Sequence, residues 1–152
     1  MNANDKKLLA QLASHPGEFI GRLKIVDEKG QERSFNTPFA EQVMALEDFC
    51  SDAETVIHYK PRQIGDTTVA TAYNFNYLYW TQDPARCLVV ADSYDSTDAI
   101  FGRVRHYYRS LPGMLKKPIE RSNKRELIFK DSMAGFRCMT AGGKSDARGW
   151  TY

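Results

Sequence analysis

An α/β fold, a parallel sheet flanked by helices and preceded by a small helix and hairpin, is predicted by three observations. From Thr55 to Ser110 the hydrophobic period alternates between compact β-rich runs and helical stretches, the order expected of strand–helix–strand units. The composition is ordinary for a globular chain: 152 residues, 42% hydrophobic and 26% charged. The length fits one compact domain with a buried core, and no repeat or low-complexity tract interrupts it.

The elements follow in order. Asp5–Ser14 places Leu8, Leu9 and Leu12 at helical spacing, and His15-Pro16-Gly17 is expected to stop that helix. Phe19–Val26 and Glu32–Phe35 flank the turn-forming Asp27-Glu28-Lys29-Gly30 and predict a hairpin. Pro38–Phe49 repeats Phe39, Val43, Leu46 and Phe49 on one helical face, with Thr37 as the expected N-cap and Glu41 in the first turn. Thr55–Tyr59 is a β-rich run that predicts a buried strand, followed by a polar loop and a helix from about Thr67 to Trp80, closed by Asp83-Pro84. Arg86–Ala91 is nearly continuously apolar and suits a strand buried on both faces. Ser96–Ser110 predicts a helix ended by Leu111-Pro112-Gly113, and Glu126–Lys130 and Gly135–Met139 predict two strands.

Charge and cysteine content exclude several classes. No apolar run is long enough to span a bilayer, and the polar start, Met1-Asn2-Ala3-Asn4-Asp5, is read as carrying no secretory signal. Cys50, Cys87 and Cys138 are odd in number and widely spaced, which favours reduced thiols in a cytosolic setting over a disulfide framework or a zinc site. The net charge of +2 divides unevenly. Residues 1–101 hold 9 Lys/Arg against 15 Asp/Glu, whereas residues 102–152 hold 12 against 4. The basic rear is either a polyanion surface or a solvated face.

The segment that carries chemistry is Lys60-Pro61-Arg62-Gln63-Ile64-Gly65-Asp66-Thr67-Thr68, between a predicted strand and a predicted helix. A phosphate-binding loop, G-x-x-x-x-G-K-[ST], uses this setting because backbone amides at a helix N-terminus cradle phosphate while a hydroxyl holds magnesium. With Gly65 on the second glycine, Thr67 takes the hydroxyl position, Lys60 the first glycine and Asp66 the lysine. A carboxylate in the cradle would repel phosphate, so Asp66 is expected to point away. Lys60 or Arg62 is then the cation that neutralises the β and γ phosphates.

This loop resembles the variant Walker A of the large terminase subunits of tailed double-stranded DNA bacteriophages, the ATPases that pump DNA into procapsids. Pro38-Phe39-Ala40-Glu41-Gln42 resembles the family's adenine-contacting segment, and Ser145-Asp146-Ala147-Arg148-Gly149-Trp150-Thr151 its Ala-Arg-Gly-aromatic-Thr stretch. Val89-Val90-Ala91-Asp92-Ser93 with Tyr94-Asp95-Ser96 resembles the family's second strand and following helix start, where Ser93 or Asp95 would also cap the helix. The resemblance covers about residues 36–152. It implies a P-loop NTPase fold of the RecA/ASCE type, with 1–36 as the N-terminal helix and hairpin and 37–152 as the nucleotide-binding core.

It also implies ATP and Mg²⁺ as ligands, with phosphate held by Lys60, Arg62, Gln63, Gly65, Thr67 and Thr68. Thr67 would ligate Mg²⁺ through its hydroxyl, Phe39 and Gln42 would contact adenine, and Arg148 would be a finger reaching a neighbouring subunit's ATP. Implied partners are duplex DNA, the portal protein, the small terminase subunit and further copies in a ring in the host cytoplasm, with no membrane.

Hydrolysis in such motors needs a Walker B Asp-Glu after an apolar run. Leu23–Glu28 and Leu88–Asp92 imitate it, but the first runs into a hairpin turn and the second has Ser93 in place of the glutamate. In the family this strand follows the Arg148 position. The expectation is therefore the front of an ATPase domain, without the nuclease domain, that binds nucleotide weakly and hydrolyses it poorly. Two other readings compete: a non-catalytic DNA-binding or assembly module with a relic loop, which Asp66 favours, and a helicase-like P-loop ATPase.

Overall fold

The computed structural model describes residues 3–27, 29–36, 39–59 and 65–142. The chain divides into two compact units, residues 1–77 and 78–152.

In the first unit, α1 (Ala3–Ser14) buries Leu12. Pro16 then opens α2 (Pro16–Ile20) instead of ending helical structure, because its fixed φ and missing N–H suit a first helical turn. Phe19 and Ile20 are buried on α2, so the expected strand Phe19–Val26 contracts to β1 (Lys24–Val26). β1 pairs antiparallel with β2 (Glu32–Ser34) in the register Lys24↔Ser34, Ile25↔Arg33, Val26↔Glu32. Asp27 organises the turn: its Oδ1 accepts the Lys29 and Gln31 backbone N–H at 2.9 and 2.8 Å, and Arg33 Nε lies 2.7 Å from Oδ2. These contacts, the Gln31 N–H foremost, hold its carboxyl below the usual value. The first Walker B imitation is thus a turn residue.

Helix α3 (Ala40–Phe49) starts two residues later than expected, with Phe39 at its N-cap; Thr37 lies outside the described residues. α4 (Asp66–Trp80) buries Val69, Ala72 and Phe75 along one face, and the Phe75 ring stacks on Phe19 at 6.3 Å. The predicted strand Thr55–Tyr59 does not form: the segment has no regular secondary structure, and Ile57 and Tyr59 are 87% and 105% exposed. Strand propensity is realised only through pairing, and among the described residues no strand pairs with this run.

The second unit is a four-stranded mixed sheet in the order β3-β6-β5-β4, with a covering helix. Its strands are β3 (Arg86–Ala91), β4 (Ile119–Ser122), β5 (Glu126–Phe129) and β6 (Gly135–Thr140). β4 is a strand the sequence pattern does not announce, because its Ile119-Glu120-Arg121-Ser122 is mostly polar and exposed. β3 and β6 run parallel from Arg86↔Gly135 to Ala91↔Thr140, while β4–β5 and β5–β6 are antiparallel. β3 is an edge strand, half-buried rather than covered on both faces, and Val90 is 58% exposed.

Helix α5 (Tyr94–Ser110) begins at Ser93, whose hydroxyl accepts the Ser96 N–H at 3.2 Å, and ends before Pro112. It buries Thr97, Ile100, Phe101, Val104 and Tyr107, the i, i+3, i+4, i+7 face of a surface helix. Each of the large apolar members contributes about 1.5–3 kcal/mol by leaving water. The Thr97 hydroxyl bonds that of Thr140 at 2.8 Å, pinning the first turn of α5 to the end of β6. Cys87 and Cys138 are free thiols, and burial pushes each up to about 12. Among the described residues no helix is long and apolar enough to cross a membrane.

Candidate functional site

The first unit assembles the candidate site around the start of α4. Gly65 adopts φ +78, and its carbonyl accepts the Thr68 and Val69 N–H at 2.9 and 3.1 Å, so it starts the helix. A side chain is strained there by the left-handed backbone, and a Cβ would have to displace the Gln42 side-chain amide. Thr67, in the first turn after Gly65, is exposed, and Thr68 is half-buried. The first turn of a helix carries the positive end of its dipole, which suits an anion.

Gln42 joins this loop to α3. Its residue is 8% exposed, its Oε1 accepts the Phe39 N–H at 3.1 Å, and its own N–H donates to the Phe39 carbonyl at 2.9 Å. Both groups close the first turn of α3, while the Nε2 end of the side chain abuts Gly65. Gln42 also lines a cavity of about 410 Å³ with Ile20, Phe35, Val43, Leu46 and Val69 as apolar walls and Glu18, Arg22 and Asn36 as polar lining. That volume lies in the range of small-molecule sites, ~300–1,000 Å³. Phe39, the other residue expected near adenine, is 68% exposed at the N-cap.

Asp66 opens α4, and its carboxylate is turned onto His58, with Oδ1 at 2.8 Å from His58 Nδ1. A carboxylate only accepts, so Nδ1 carries the proton in this contact. His58 Nε2 sits 3.4 Å from Asp48 Oδ2 near the end of α3 without forming a hydrogen bond. The imidazole lies 5.0 Å from the Phe49 ring, which stacks at 5.7 Å on Tyr73 of α4. Burial raises the Tyr73 phenol above its usual range. The partner of Asp66 is thus a residue that sequence reasoning passed over as one more member of a β-rich run.

Lys60, Arg62, Gln63 and Arg148 lie outside the described residues. Asp92, the second Walker B imitation, follows β3 in the second unit. Its carboxyl is held below the usual value chiefly by the Ser96 hydroxyl, so this segment serves the start of α5. Of the basic residues after 101, several make contacts within their own unit. Lys117 Nζ lies 2.9 Å from Asp131 and 5.0 Å from the Tyr79 ring centre, and the Arg125 guanidinium covers Tyr94 at 5.3 Å. Arg103, Arg109, Lys116, Lys124 and Lys130 are exposed. No cluster of three or more metal-ligating side chains occurs among the described residues. No protein-family profile matches the chain, and no curated protein matches it.

Proposed function

We propose that this chain binds Mg-ATP as the nucleotide-binding part of a DNA-packaging ATPase of the large terminase class, with a P-loop NTPase fold. The observation that carries the reading is the meeting of Gln42 and Gly65, the adenine-segment glutamine and the loop glycine, between a 410 Å³ cavity and the first turn of α4. Residues distant in the chain and singled out for the two ends of one nucleotide are neighbours in the fold. The diversion of Asp66 onto His58 removes the main objection to an anion at this helix start.

In this reading the base enters the cavity beside Gln42. The α4 amides take phosphate oxygens, and Lys60 or Arg62 supplies the cation missing at position 66. The Thr67 hydroxyl would help hold Mg²⁺, which when bound would supply positive charge to neutralise the phosphates. In the assembled motor, Arg148 would act on a neighbouring copy's nucleotide, and hydrolysis would drive duplex DNA through a portal ring in the host cytoplasm, with the small terminase subunit as a further partner.

The test is calorimetric titration of Mg-ATP into the wild type and Lys60→Ala. Loss of one charge-assisted phosphate contact is expected to weaken binding about 10–100-fold. Unchanged affinity in Lys60→Ala with loss in Arg62→Ala assigns the cation to Arg62; no loss in either sinks the site. A second reading, a nucleic-acid module without catalysis, is favoured by the exposed lysines and arginines of the second unit. Salt-sensitive duplex binding with no response to Mg-ATP would select it.

A further inference from the structure

We infer that His58 is a positioning residue for the phosphate site, acting through Asp66: its Nδ1–H holds the carboxylate off the start of α4, so that a phosphate is not met by a negative charge. The inference rests on the nucleotide-binding reading and assigns a role to a side chain outside the loop itself. Asp66 is the first residue of α4 and directly follows Gly65, so its carboxylate has two places to go. One is the imidazole of His58, where it lies at 2.8 Å with 13% of the side chain exposed. The other is the positive end of its own helix, the amides that a phosphate would need. Acidic side chains in a first turn are attracted there. Remove the imidazole, and the same attraction draws the carboxylate into competition with the ligand.

His58 is built for the first arrangement. Its side chain is 17% exposed, and its ring is held against Phe49 at 5.0 Å, with Asp48 Oδ2 3.4 Å from Nε2. The ring is thus braced on one side by Phe49 of α3, with its Nδ1–H facing Asp66. Pre-aimed donors lose little freedom when they form a hydrogen bond, so the carboxylate is kept in one place rather than merely attracted to it.

The experiment is a double-mutant cycle of His58→Ala and Asp66→Asn, with Mg-ATP, Mg-tripolyphosphate and adenosine as titrants and thermal melting as the folding control. Expected for His58→Ala is about a tenfold weakening for ATP and tripolyphosphate, equivalent to about 1.4 kcal/mol, with adenosine unchanged. In the Asp66→Asn background the same substitution should change phosphate affinity less than about twofold, because no charge remains to be diverted. His58→Gln, whose amide can still donate, should keep most of the affinity; it replaces His58→Ala in the cycle if the alanine variant fails to melt cooperatively, with His58→Leu as the non-donating arm.

Equal losses for adenosine and ATP, or an undiminished loss in the Asp66→Asn background, would show that His58 acts only as a structural tether and overturn the proposal. Wild-type protein that binds none of the titrants overturns the nucleotide reading and this role with it. Binding without coupling overturns this role alone.

Discussion

Two runs of similar β propensity, Thr55–Tyr59 and Arg86–Ala91, have opposite fates. Arg86–Ala91 becomes β3, paired along its whole length with β6. Thr55–Tyr59 stays irregular, with Ile57 and Tyr59 exposed, and is attached to its surroundings mainly at His58, the one side chain of its second half that is substantially buried. The difference lies less in the residues than in what stands beside them. A strand is stabilised by its neighbour's hydrogen bonds and cross-strand contacts, whereas a run without a neighbour is free to contribute a single polar side chain. In the first unit that side chain reaches the candidate nucleotide loop.

The sharpest break of this comparison is in the sheet. Phe136, fully buried on β6 beside β3, should cost about 3–5 kcal/mol when changed to alanine, read from urea unfolding. Gly65→Ala comes next. A left-handed backbone and overlap with Gln42 should cost about 1–3 kcal/mol and weaken Mg-ATP binding in the same variant, while Gly113→Ala, where a Cβ meets nothing, should leave binding unchanged.

A smaller effect is expected at Asp131. Burial alone would raise its carboxyl, but the Lys117 ammonium at 2.9 Å and the Ser132 N–H outweigh it, and the folded-state value is depressed. The stabilisation is therefore present above the ordinary carboxylate range and lost as pH falls through the depressed value. Since Asp131 is 38% exposed, Lys117→Ala should remove less than about 1 kcal/mol, and the loss should vanish in acid melts. Smallest of all, Ile57→Ala should change stability by less than about 0.5 kcal/mol, although a strand at this position would make it a core residue. A cost near 2 kcal/mol for Ile57→Ala would mean that the run is paired in solution.

Much of the architecture was legible in the pattern. The amphipathic face of α5, the helical stretch of α4 and the apolar run of β3 were each readable, and their ends lie within two residues of expectation. What was not legible depends on partners distant in the chain. β4 is polar because it lies at a sheet edge, α2 is hidden by a proline that usually punctuates, and β3 is less covered than its composition suggests. At the site, Gly65 and Gln42 could each be singled out from local wording, but their contact is a fact of tertiary structure. The need to divert Asp66 followed from electrostatics alone. Which residue would do it did not, since a histidine inside a β-rich run carries no mark of a partner eight positions on.

The register of the second unit has a kinetic consequence. β4, β5 and β6 are joined by short turns and can zip from local contacts, whereas Arg86 meets Gly135 only after all of α5 and the β4–β5 hairpin have been threaded between them. Closing that loop costs entropy before the parallel pairing rewards it, so β3 is expected to join last. Changes on β3 such as Leu88→Ala should then accelerate unfolding and leave refolding nearly untouched, while Leu127→Ala on β5 should slow refolding.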